Sequence, residues 1–156
     1  MLSQLNERQE IWRGLLYGQR SMMLRLSAEL KRDFGLSAAQ FEGMLTLVES
    51  PDNSMPATQL AQRLLYSSGS GSHLIARLEE MGHVTRDRDP MDARVVVVAL
   101  TESGLELINS ALEVHTASLA REFDDLIDDG DLSVLLAFAR KLAAKEGVIS
   151  QPFSAG

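Results

Sequence analysis

The chain has 156 residues, 45% of them apolar, with a net charge of −7 and no cysteine. That is enough for one domain with a real core, too apolar for a disordered chain, and incompatible with disulfides, thiolate metal sites, cysteine nucleophiles or a thiol-oxidation switch. No run approaches the ~20 apolar residues of a membrane span and the first residues lack the apolar core of a secretory leader; the absence of cysteine makes a reducing cytoplasm the expected location. The charge is uneven. Residues 1–54 hold 6 basic and 7 acidic side chains, 55–100 hold 5 of each, and 101–156 hold 4 and 10. The acid sits in the last third, which leaves the arginines of the neutral middle free to gather on one surface.

Residues 6–33 are predicted to form a long helix, because Ile11, Leu15, Met22, Leu26 and Leu30 recur at helical steps with one slip of seven; Gly35 ends it. Gly14 and Gly18 share one face of that helix. Each costs about 1 kcal/mol relative to Ala, which a close helix crossing or room for a ligand would justify. Ser37 opens a second helix with Gln40 completing a capping box, and Phe41, Met44, Leu45 and Val48 form its inward stripe. SPDNSMP (50–56) is dense in turn formers and reads as a loop. ATQLAQRLL (57–65) is a short helix beside Pro56, with Leu60, Ala61 and Leu64 inward.

After YSSGSGS, Ser67 or Ser68 caps a further helix whose inward residues are Leu74, Ile75 and Leu78, and Gly82 ends it. Strands are predicted at 84–88 and 95–100, joined by a turn at DPMD (89–92) with proline at its second position. Two short helices with a tight connection, followed by a hairpin, make a helix-turn-helix with a wing. Thr101 caps a helix over 102–128, roughly 40 Å long, with Leu105, Ile108, Leu112, Leu119, Phe123 and Leu126 inward. Gly130 breaks it. A last helix runs from an Asp131 cap to 145, carrying Leu132, Leu135, Leu136, Phe138, Ala139 and Leu142.

The expected fold is mainly α with a small β-hairpin wing. Residues 37–101 form the winged helix-turn-helix, flanked by a helical dimerisation region (1–36 and 102–147) and a tail (148–156) that is loose or lies on a partner chain. The apolar faces of the outer helices exceed what so small a unit covers, so pairing with a second copy about a twofold axis is expected.

At the hairpin, TRDRDPMDARVVVVALTESG resembles the wing signature of the MarR family, R-x-x-D-P-x-D-x-R followed by apolar strand residues and L-T-x-x-G. Arg86, Asp89, Pro90, Asp92, Arg94, Leu100, Thr101 and Gly104 match it. QLAQRL (59–64) resembles the family's L-A-x-x-L helix, and SHLIARLEEMGHV its recognition helix and exit. The resemblance covers roughly residues 37–145. It implies a homodimeric winged-helix transcription regulator, in most members a repressor, often released from DNA by a small aromatic or phenolic ligand. Gly71 departs from the pattern, standing where the family usually has a buried apolar residue.

Under that reading the recognition helix enters the major groove with Ser68, Ser70, Ser72 and His73 toward the bases and Arg77 near phosphate. Its N-terminus favours phosphate. The wing tip reaches a minor groove, with Arg94 inserted and Asp92 holding its guanidinium, while Arg86 and Arg88 contact phosphate or brace the wing. The bland alternative is a solvated turn held by its own ion pairs. Two such units read an inverted repeat in double-stranded DNA. For the family's effector pocket, the candidate walls are Trp12, Leu16, Arg20, Met23, Phe41 and Met44, with Arg20 placed to meet a carboxylate.

No catalytic constellation emerges, so no enzyme is expected, and no cofactor. His73, His83 and His115 lack zinc spacing, and DDLIDDGD (124–131) lacks the spacing of a calcium loop, so no metal is expected either. The competing function is a winged-helix interaction or ligand-binding module that no longer binds DNA.

Overall fold

The structure is a computed structural model describing residues 6–64 and 66–145. The expected tail, 148–156, lies outside the described residues. Among the described residues six α-helices and three strands follow in the order α1 (Glu7–Phe34), α2 (Ala38–Val48), β1 (Ser54–Pro56), α3 (Ala57–Arg63), α4 (Ser68–Glu80), β2 (Val84–Arg88), β3 (Val96–Leu100), α5 (Glu102–Phe123) and α6 (Leu132–Lys145). The predicted start signals operate as local chemistry. Ser37 accepts from the Gln40 backbone N–H while Gln40 accepts from that of Ser37; Asn6, which the sequence reading did not single out, forms the same reciprocal box with Gln9. Each box satisfies two backbone donors that a helix start leaves without partners. Gly35 and Gly82 end their helices at φ of 70° and 77°.

The core lies where α2, α4 and α5 meet the sheet. Leu30, Leu36, Phe41, Met44, Leu47, Leu60, Leu78, Val98 and Ile108 are all buried there. At about 1.5–3 kcal/mol for each such side chain, this cluster is the main source of stability for the winged unit.

Three elements differ from the sequence reading. Within 50–56 a third strand forms: β1 pairs antiparallel with β3, Met55 opposite Val98, giving the order β1-β3-β2. Asp52 and Asn53 adopt positive φ, which turns the chain so that Met55 enters the core. The long helix stops at Phe123 and gives way to a 3₁₀ turn, Asp124–Leu126. Glu122, Asp124 and Asp125 crowd an end where the helix dipole already places negative charge, which disfavours further helix.

The third difference concerns burial. Leu119, Phe123 and Leu126 were expected inward but are exposed, as are Ile11 and Leu15 of α1. On α6, Leu132, Leu135, Leu136, Phe138 and Leu142 are also exposed. One copy of the chain leaves these faces uncovered.

Candidate nucleic-acid interface

α3 and α4 approach closely because a glycine stands at their contact. A Cβ on Gly71 would stand 2.5 Å from the Ala61 Cβ. The absent side chain therefore lets the two helices of the motif touch, which accounts for the departure from the family pattern. Ser67 caps α4 by accepting from the Ser70 N–H, and the Ser67 hydroxyl donates to Ser70 Oγ at 3.1 Å. Gly71, Leu74, Ile75 and Leu78 face inward. Ser68, Ser70, Ser72, His73 and Arg77 are all exposed. All five residues expected to contact DNA are thus solvent-accessible, although Ser70 is partly engaged with the cap.

The wing is braced by its own polar groups. Asp89 Oδ1 accepts from the backbone N–H of Met91 and Asp92, fixing the tip. Asp92 Oδ1 accepts from the Arg94 N–H at 3.0 Å and from its Nε at 3.1 Å. The Arg94 side chain and then its backbone N–H hold the Asp92 carboxyl below the usual carboxylate range. Arg94 itself is 91% exposed, oriented but free to meet a partner. Arg88 donates to the Ala93 carbonyl across the hairpin.

Arg86 pairs with Glu79 of α4 through both Nε and Nη2, and that bond holds its guanidinium above its ordinary pKa. Arg77 donates to Glu80 Oε2 at 2.5 Å. Sequence reasoning missed both glutamates. The three-residue spacing of Arg77 and Glu80 on one helix was legible; the Glu79–Arg86 pair needs the turn at Gly82 to exist first.

The wing is also locked to α5. Thr101 Oγ1 donates to the Gly82 carbonyl at 2.7 Å and accepts from the Gly104 N–H. The Thr101 N–H donates to the His83 carbonyl at 3.0 Å. A Cβ on Gly104 would fall 2.1 Å from that same oxygen. The threonine and glycine of the L-T-x-x-G segment are thus one junction.

A groove of about 410 Å³ runs between α1 and the end of α5, walled by Gly14, Gly18, Met22, Met23, Phe123 and Leu126 among others. Of the six residues expected to wall an effector pocket, only Met23 lines it. Phe41 and Met44 are core residues, 3% and 0% exposed, because the inward stripe of α2 packs under the sheet. Trp12, Leu16 and Arg20 lie exposed along α1. Nothing stands within 4 Å of a Cβ on Gly14 or Gly18, so within one copy neither glycine serves a close crossing.

The chain matches the family described as transcriptional regulator SarA/Rot over residues 25–111. It is 31% identical to AbsC, a MarR family transcriptional regulator from Streptomyces coelicolor, whose fold superimposes with a TM-score of 0.83, covering 91% of this chain and 96% of AbsC. The chain belongs to the MarR family of transcriptional regulators. This regulator also resembles Sco3205, a MarR family transcriptional regulator of the same organism solved in complex with DNA. The two are 26% identical, with a TM-score of 0.81 over 90% of this chain and 92% of Sco3205. Against YkoM, an HTH-type transcriptional regulator of Bacillus subtilis, identity is 33% over 93 residues, 60% of this chain and 57% of YkoM. The chain thus spans little more than half of that relative's length. The family is one of regulators, not of enzymes. Among the described residues no helix is long and apolar enough to cross a membrane.

Proposed function

We propose that this MarR-family chain is a homodimeric, sequence-specific binder of double-stranded DNA that represses transcription in the cytoplasm and is released by a small aromatic or phenolic ligand. The observation that carries the reading is the wing: a hairpin tip that presents Arg94, pre-oriented by Asp92, beside a helix whose exposed face is polar and unobstructed. The DNA complex of Sco3205 supports the same use of the fold. Ser68, Ser72 and His73 supply the base contacts of the major groove, and Arg94 enters the adjacent minor groove. Arg86 and Arg88 act as braces.

Dimerisation is supported by the uncovered apolar faces of α1 and α6. A second copy that covers them also roofs the groove beside Gly14 and Gly18. That groove is within the usual size of small-ligand sites, and Met22 and Met23 give it adaptable walls. It therefore replaces the pocket expected from the sequence as the effector site.

One observation favours the rival module without DNA. Residues 67–94 hold four arginines but five carboxylates, a net charge of −1. Selection from a random duplex pool separates the two readings. A recovered inverted repeat bound by two copies is the expected result; a pool without enrichment contradicts DNA recognition.

A further inference from the structure

The four arginines of the recognition helix and wing are all engaged within the chain. Arg77 is held by Glu80, Arg86 by Glu79, Arg88 by the Ala93 carbonyl and Arg94 by Asp92. Two of these acceptors, Glu79 and Glu80, are adjacent on the last turn of α4. Both are solvent-accessible, with side chains 37% and 62% exposed. Neither supports the core.

Resting on the DNA-binding reading, we propose that Glu79 and Glu80 are specificity-determining residues that hold Arg86 and Arg77 away from phosphates of arbitrary sequence. A free guanidinium binds any phosphate, and such contacts supply essentially all of non-specific affinity. A guanidinium on a carboxylate must first exchange partners, and the carboxylate also repels the DNA. An exposed pair of this kind shifts an equilibrium by up to about fivefold.

The two complexes respond differently. In a loose, non-specific complex, phosphate contacts are the whole gain, so the glutamates act at full strength. In the specific complex, helix and wing sit in their grooves together. The Glu79–Arg86 pair spans the two elements and keeps β2 oriented on α4, so it stays closed and little is lost. Glu80 bonds only Arg77 on its own helix, so its effect is electrostatic alone.

The test compares wild type with Glu80→Gln and with the double variant Glu79→Gln/Glu80→Gln. Affinity is measured for a duplex recovered by selection with wild type and for a scrambled duplex of equal length, across salt concentrations. Glutamine keeps an acceptor for the arginine but removes the charge. The double variant is expected to bind scrambled DNA about tenfold more tightly near 0.15 M salt. Its plot of log affinity against log salt steepens by about 1–2, close to 0.9 per phosphate gained. Affinity for the selected duplex rises less than about threefold, so discrimination falls. Glu80→Gln alone gives part of the gain with an unchanged thermal midpoint. Equal affinity for scrambled DNA in all three proteins, or an unchanged ratio between the duplexes, overturns the proposal. Absence of salt-dependent binding by wild type to any duplex overturns the DNA-binding reading on which it rests.

Discussion

Gly104→Ala tests the junction between wing and α5. The added methyl would lie 2.1 Å from the His83 carbonyl oxygen and 2.9 Å from its carbon. Both are backbone atoms, so no rotamer change relieves the contact and α5 must move by about 1 Å or more. Overpacking of this kind costs about 1–3 kcal/mol. The shift also stretches the Thr101 N–H bond to His83 and the Thr101 hydroxyl bond to Gly82, each worth about 0.5–1.5 kcal/mol. Against this, alanine gains about 1 kcal/mol of helix propensity. The sum is a loss of roughly 3 kcal/mol. For a chain of this length each kcal/mol moves the thermal midpoint by about 2–4 °C, so a drop of roughly 6–12 °C is expected by circular dichroism. Gly69→Ala is the matched control, because nothing stands within 4 Å of its Cβ; it should raise the midpoint by a few degrees. A Gly104→Ala protein as stable as wild type would refute the steric argument.

Arg94→Ala should weaken binding to a selected duplex by about 10- to 100-fold, the range for loss of a charged contact. Its thermal midpoint should barely move, since Arg94 bonds only Asp92 at the surface; an unaltered affinity would remove the wing from the account. Phe138→Glu places charge on the exposed apolar face of α6 and should raise the dimer dissociation constant by roughly 10- to 100-fold in sedimentation experiments. A dimer of undiminished strength would mean that α6 is not its interface. Stability should also fall in mild acid. Burial lowers the pKa of His83, and of His115 against an opposing pull from Glu29. The neutral rings are favoured in the fold, so unfolded chains take up protons first as pH falls below about 6.5. The slope is at most about 1.4 kcal/mol per pH unit for each proton. Denaturant titrations from pH 7.5 to 5.5 check this, and His115→Leu should flatten the profile; a flat wild-type profile contradicts it.

Much of the fold was legible because its signals are local. Ser37 with Gln40 marks a helix start through bonds three residues apart, and Thr101 with Gly104 marks another. The turn formers DPMD, set in a charged stretch between the apolar runs GHV and VVVVAL, indicated the wing. What escaped was long-range. The pairing of Met55 with Val98 depends on residues more than forty apart, and its short, proline-containing strand carries no periodicity. The role of Gly71 depends on Ala61, which only the packed helix pair brings near. Phe41 and Met44 matched a pocket in residue type, yet their stripe serves the core. The inward stripe Leu74, Ile75 and Leu78, and with it the exposure of Ser68, Ser72, His73 and Arg77, was legible from helical spacing, whereas the Glu79–Arg86 pair required the turn between α4 and β2.

Fluorescence anisotropy with a duplex recovered by selection, against a scrambled duplex, tests the central claim most directly. Recognition by two wings predicts tight binding to the selected duplex alone. Two Arg94 contacts by themselves predict an affinity that falls about tenfold from about 50 to about 200 mM salt. Equal binding to both duplexes, or binding indifferent to salt, would contradict sequence-specific recognition of DNA by this regulator.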